Sequence, residues 1–258
     1  MKLYLLLFLA ISTQLSAQSC FKIRHINIVN VKTGAIEYDQ AVLIKGHRID
    51  LIANDEADTR KLSANDIDGT NKYLIPGLWD MHAHDIGGAE LTKKFIIPVM
   101  LANGVTGLRN MWGSKDAVAL RDSISKDLIV APRMVVGTPL VNGPNPFFQG
   151  TVTIKNVSSI QRLVDSLKNM GYDFVKVYSF LRHDLFFSLA NYCKEKHIPF
   201  EGHVPIGVTA EQASNAGMES IEHLFGIRKS CSTQGLNSTG EWENQMLDTA
   251  VSPFEVLV

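Results

Sequence analysis

An α/β protein built from parallel βα units, with a small β-rich region ahead of them, is what three observations in this sequence predict. From Phe21 to about Leu74, short alternating runs are punctuated by glycine and Asp/Asn turns, the pattern of antiparallel strands. After Pro76 the texture changes to strand, loop and helix in repetition, which implies parallel strands joined by crossover helices. Histidines then recur at the ends of the strand candidates, where an eightfold barrel carries its functional groups. The expected architecture is a (β/α)8 TIM-type barrel, incomplete at about six βα units, preceded by a small β-sandwich.

Residues 1–17 read as an export signal. Met1-Lys2 supply a charged start, Leu3 to Ile11 an apolar run, and Leu15-Ser16-Ala17 the small residue at a cleavage point. The run is shorter than the roughly 20 residues that cross a bilayer, so the mature chain is expected to be periplasmic or extracellular, with no transmembrane segment. Lipidation at Cys20 is the alternative, with Ala17 rather than Leu three residues before it. The β-region, 18–74, has strands at Ile23 to Val31, Ala41 to Lys45 and Ile49 to Ile52, with turns at Thr33-Gly34 and Gly46-His47.

The barrel region, 75–258, has strand candidates at Leu74 to His82, Val105 to Met111, Met134 to Gly137, Phe174 to Tyr178, Pro199 to His203 and Ser220 to Leu224. Asn156 to Gly171 reads as an amphipathic helix, with Ile160, Leu163, Val164, Leu167 and Met170 on one stripe and Gly171 as its stop. Thr209 and Gln212 make a capping box for a short helix ending near Gly217. The segment Thr138 to Gly150, with two asparagines and Phe147-Phe148, is expected at the pocket mouth because βα loops of barrels line it.

With 25 basic and 26 acidic side chains, the chain has no field that favours nucleic acid or an anionic membrane. A small-molecule substrate is the expected partner, and oligomeric state stays open. Cys20, Cys193 and Cys231 form no framework, and Cys193, on a helical pattern, reads as a small buried hydrophobe. Metal ligands must therefore be His, carboxylate or a modified Lys.

Chemistry concentrates in Pro76-Gly77-Leu78-Trp79-Asp80-Met81-His82-Ala83-His84. Alternate residues of a strand share a face, so Asp80, His82 and His84 are expected to project together, and two imidazoles at a strand end make half a coordination shell. Lys176 lies between valines in Asp173-Phe174-Val175-Lys176-Val177-Tyr178. Turned inward, it must pair, deprotonate or be chemically changed; turned outward, it snorkels between helices, and the strand alone leaves both open. His203 and His223 end two further strand candidates, whereas His25, His47, His183 and His197 fall in turns, in the first sheet or at helix ends and receive no role.

The string Pro-Gly, two apolar residues, then Asp-x-His-x-His resembles the first metal-binding strand of the amidohydrolase superfamily. Together with Lys176, His203 and His223, it is nearest to the branch of imidazolonepropionase-like proteins and dipeptidases that cleave before proline. Val105 to Asn110 resembles the branch's second strand, except that Asn110 stands where Asp is usual. The resemblance implies that His82, His84 and a carbamylated Lys176 bind one divalent ion, and Lys176, His203 and His223 a second, with one or two ions bound and zinc the first guess ahead of manganese, iron or cobalt. It implies hydrolysis of a carbon-nitrogen bond in a cyclic amide, N-acyl amino acid or dipeptide by metal-activated water. Ester or lactone hydrolysis is the alternative within the fold. The family's eighth-strand Asp has no counterpart, since Asp248 and Glu255 lack a strand context and too few residues follow His223 for two more units. A truncated chain that binds metal without efficient turnover is the competing expectation.

Overall fold

The structure is a computed structural model that describes residues 20–55, 66–84, 86–144, 146 and 148–231. The signal at 1–17, Phe147, Asp248 and Glu255 lie outside the described residues. The chain divides into two compact units, Met1–Pro76 and Gly77–Val258. Among the described residues no helix is long and apolar enough to cross a membrane.

In the first unit, β1 (Cys20–Val29), β2 (Ile36–Lys45) and β3 (Arg48–Asn54) form an antiparallel meander, and the two-residue strands β4 (Ile67–Asp68) and β5 (Tyr73–Leu74) run parallel to β1. Turn chemistry sets the register. The Asn30 side chain accepts the amides of Lys32 and Thr33, and Gly46-His47 connects Lys45 to its partner Arg48. The described residues make one five-stranded sheet. A second sheet facing it, as a sandwich requires, is not among them.

The second unit is mixed α/β. Strands β6 (Leu78–Ala83), β7 (Val105–Asn110) and β8 (Arg133–Val136) pair in parallel. A Gly137–Phe174 bridge joins β8 to β11 (Val175–Val177), and β11 pairs with β12 (Phe200–Gly202). Gly202 bridges Ile221, so six parallel segments follow one another in chain order. They form an open arc: on its other side β6 pairs with no strand among the described residues. Short β9 (Val141–Asn142) lies between β11 and β10 (Val152–Thr153).

The crossovers carry α1 (Ile97–Ala102), preceded by a π-helical turn, then α2 (Lys115–Ser125), α3 (Ile160–Asn169), α4 (His183–Glu195) and α5 (Ala210–Asn215), with α6 (Ile227–Ser230) after the arc. Helix α3 buries Ile160, Val164 and Leu167, as its stripe predicts, whereas Met170 is its C-cap and is exposed. The capping box of α5 forms, with Thr209 accepting the Gln212 amide and Gln212 accepting the Thr209 amide. Cys193 is buried in α4, and burial pushes its thiol up to about 12.

Two strand boundaries differ from expectation. Tyr73–Leu74 belongs to the first sheet, and the metal-motif strand begins at Leu78; Pro76 intervenes, and its missing amide cannot continue a ladder. Beyond the Ile221 bridge, residues Glu222–Leu224 form a 3-10 turn rather than strand. Arg121 of α2 ties the arc from outside. It donates to Asp173 at 2.8 Å, and the same carboxylate oxygen accepts the Val136 amide at 2.7 Å, bonding β8 to the entry of β11.

Candidate functional site

The C-terminal ends of β6, β11 and β12 and the turn after Ile221 bring His82, His84, Lys176, His203 and His223 to one end of the arc. His82 and His84 present their Nε2 atoms to each other at 2.9 Å. The His82 ring centroid lies 4.3 Å from that of His223, which lies 5.2 Å from that of His203. The alternation expected for Asp80 is interrupted. Strand β6 shifts register against β7 between Asp80 and Ala83, and the Asp80 carboxylate turns to accept the His82 amide at 3.0 Å.

Lys176 is only 1% exposed, so it does not snorkel outward. Its Nζ has no hydrogen-bond partner, and its backbone amide is held by Thr138 Oγ1 at 3.0 Å. Burial pulls its amine down to about 8, against the opposing pull of Glu222. His203 is also buried, its Nδ1 2.9 Å from Ser179 Oγ and its ring stacked on Phe225 at 4.5 Å. Burial first, then the Lys176 charge and the neighbouring imidazoles, drive it down to about 3, and His223 moves down for the same reasons. Both therefore offer neutral nitrogens near pH 7, the form that ligates metal.

Four polar residues to which sequence reasoning assigned no role complete the interior. Glu222 bonds His82 Nδ1 and accepts from Arg109 Nη2 at 2.7 Å and from Ser220 Oγ at 2.6 Å. The same guanidinium nitrogen reaches Glu201 at 2.6 Å. Burial raises the Glu222 carboxyl, but the Ser220 and His82 hydrogen bonds and the Arg109 and Lys176 charges outweigh it and bring it to about 2. Glu201 is shifted up, chiefly by burial. The register pairing Lys176 with Glu201 was legible from period-two alternation; the inward turn of Glu222 beside His223 was not.

The segment expected at the mouth is divided among the described residues. Thr138 and Asn142 are buried, and Asn142 Oδ1 accepts the Phe180 amide at 2.8 Å. Phe148 does reach the site end, set edge-on between Trp112 at 5.2 Å and Tyr178 at 5.9 Å. Trp112 in turn meets His84, and Tyr178 meets His203. Asn110 has a structural occupation, donating to the Ile86 carbonyl at 2.8 Å.

The donor set can be tested against a divalent ion. Two nitrogens on one ion at about 2.0–2.1 Å are separated by about 2.9–3.4 Å for angles from square to tetrahedral. The His82–His84 separation falls at the lower end of that range. The orphaned Lys176 Nζ, with no counter-charge in contact, is a buried amine that carbamylation would turn into an anionic oxygen donor for a metal. The His82–His84 pair thus fits a shared divalent ion.

Among the described residues a group of three ligand-type side chains with ligand atoms within 4.8 Å of one another lies elsewhere, in the first unit: His25, Asp39 and Asp55. There the Arg24 fork engages both Asp55 oxygens, and His25 contacts Asp39 at 2.9 Å and Asp55 at 3.0 Å. The hydrogen bond to Asp39 raises the His25 pKa. The trio closes as an ion-pair network in which the Asp55 oxygens are already engaged.

No family model matches the sequence, and no curated protein matches it. Solved structures do match. A bottromycin amidohydrolase superposes at a TM-score of 0.67 and 22% identity, over 82% of this chain and 44% of that one. A prolidase complexed with N-methylphosphonate-L-proline gives 0.64 and 17%, over 80% and 61%. A Xaa-Pro dipeptidase with bound methionine in the active site gives 0.62 and 17%, over the same shares. This chain thus spans from under half to about three fifths of the length of the structures it matches. At these identities the likeness establishes the fold, and the chain is built on the fold of the amidohydrolases, over part of their length.

Proposed function

We propose that the protein is an exported metal-dependent hydrolase that cleaves a carbon-nitrogen bond in a small cyclic amide, N-acyl amino acid or dipeptide. The observation that carries this reading is the run of ring contacts from His84 through His82 and His223 to His203, at the strand ends of an amidohydrolase-like arc that also buries Lys176 with its Nζ unpartnered. In it His82, His84 and Lys176 hold one divalent ion, zinc first, and Lys176, His203 and His223 hold the other. The structural neighbours, an amidohydrolase and prolidases among them, support the class of bond. Export rests on residues 1–17, with a lipid anchor at Cys20 as the other outcome.

A bound metal pair supplies a water of lowered pKa and an electrophilic contact for the carbonyl oxygen. The chain's residues prepare the site for it. Burial leaves a neutral fraction of Lys176 near pH 8, and that amine adds carbon dioxide with loss of one proton to give a carbamate anion. Ser179 is bonded to His203 Nδ1, leaving Nε2 for the ion. Trp112, Phe148 and Tyr178 flank the histidines with apolar surface that limits water at the reacting end.

A second reading, metal binding without efficient turnover, is favoured by one observation. Glu222 and Glu201, the carboxylates that reach the interior, are both held by Arg109, so among the described residues each of these carboxylates is engaged in an ion pair rather than directed at the metal-binding histidines alone. One experiment separates the readings: metal analysis of the purified chain with a panel of dipeptides, N-acyl amino acids and lactones. Two ions per chain, lost on His82→Ala or His203→Ala, with amide turnover supports the first. Metal without turnover supports the second, and an absence of metal sinks both.

A further inference from the structure

Glu222 and His223 are adjacent, and in an extended strand their side chains would face opposite sides of the sheet. Here both meet the His82 ring, Glu222 through Nδ1 and His223 at a centroid distance of 4.3 Å. The cause is conformational. Ile221 is still extended, but His223 at φ 56° and Leu224 at φ 58° lie in the left-handed region. That conformation brings the Cβ of an L residue against its own carbonyl, and it persists only where surrounding contacts over-determine it.

We propose that Glu222 is a positioning residue that fixes the His82 ring and, through its bond to the neighbouring His223, couples the two halves of the candidate metal centre. This inference rests on the metal reading above. A carboxylate bonded at Nδ1 requires the proton there, and in the neutral ring this leaves the Nε2 lone pair directed at the partner nitrogen of His84, 2.9 Å away. Without that bond the imidazole can flip or change tautomer. The carboxylate itself cannot swing, because Arg109 and Ser220 donate to its other oxygen at 2.7 Å and 2.6 Å. Arg109 is held in turn by Glu201. The chain from Glu201 through Arg109 and Glu222 to His82 thus crosses from β12 to β6, and displacing His223 must drag the carboxylate that orients the first ion's ligand.

The test uses the full chain with Glu222→Gln, which keeps the shape and removes the charge, and Ser220→Ala, which removes one support. In metal-free wild type, long-range 1H–15N correlation should find His82 as the Nδ1–H tautomer, and Glu222→Gln should yield a mixture. Competition against a chromophoric chelator should give zinc affinity about 10- to 100-fold weaker in Glu222→Gln and a smaller loss in Ser220→Ala, with cooperative thermal unfolding retained in both. An unchanged tautomer with affinity within about twofold of wild type overturns the proposal. If wild type binds no zinc, the metal reading fails, and the tautomer measurement still decides whether Glu222 sets the His82 ring.

Discussion

At Lys176 an amine occupies a strand whose two neighbours are fully buried valines. Such a group persists in an interior only if its charge is matched or removed, and the surrounding Glu222, Glu201 and Arg109 alter the field without any of them bonding it. His25 in the first unit is the opposite case, with a pKa raised by bonded Asp39 and by the Asp55 charge. A raised pKa means the folded state holds the proton more tightly, so this stabilisation is complete below the unfolded value of about 6.5 and fades as pH rises through the folded value. We predict that His25→Gln destabilises the protein by less than about 1 kcal/mol at pH 5.5, the ring being half exposed and screened, and by less still at pH 8.5. Denaturant titrations at the two pH values check it; an equal or larger loss at the higher pH would contradict the ion-pair account.

Among the elements, β12 is pinned to β11 through a glycine. Gly202 separates Glu201 from His203 and adopts φ 130°, and a Cβ there would sit 2.2 Å from the Val177 carbonyl oxygen of β11. The close approach lets His203 N–H donate to that carbonyl at 3.0 Å and carries its ring to the site. Gly202→Ala should therefore cost more than about 2 kcal/mol, combining backbone strain with a steric clash, and should weaken metal retention even where the fold survives. Chemical denaturation and metal content after gel filtration measure the two effects separately. A variant as stable as wild type would show that β11 and β12 are free to move apart. The helices were more legible, because α3 and α5 depend on local stripes and caps, while the Glu222–Leu224 turn depends on contacts made far along the chain.

Across the second unit, the arc and its first helical segment leave apolar surface in solvent. Leu91, Phe95 and Val99 form an exposed stripe at helical spacing, and Leu78 and Met81 are exposed on β6, which pairs on one side only among the described residues. Contiguous apolar patches and open strand edges promote association. We predict that the purified 258-residue chain self-associates at micromolar concentration and that Phe95→Lys with Val99→Lys shifts it toward monomer. Sedimentation velocity decides this, and a monomeric wild type would show that the stripe is tolerated as ordinary surface.

Six parallel segments, the antiparallel first sheet and the histidines at the strand ends were readable from residue order, because period-two and period-3.6 patterns and cap residues act over a few positions. His82, His84, His203 and His223 lie near one another at one end of the arc, the end that strand-end reasoning named. The inward orientation of Lys176, the turn of Asp80 back to its own chain and the Arg109–Glu201–Glu222 network were not readable. They depend on register between strands far apart in sequence and on a left-handed turn at His223 that reverses the alternation rule. Local propensity disfavours that turn, and the hydrogen bonds that hold it exist only once β6, β7, β12 and the turn after Ile221 have come together.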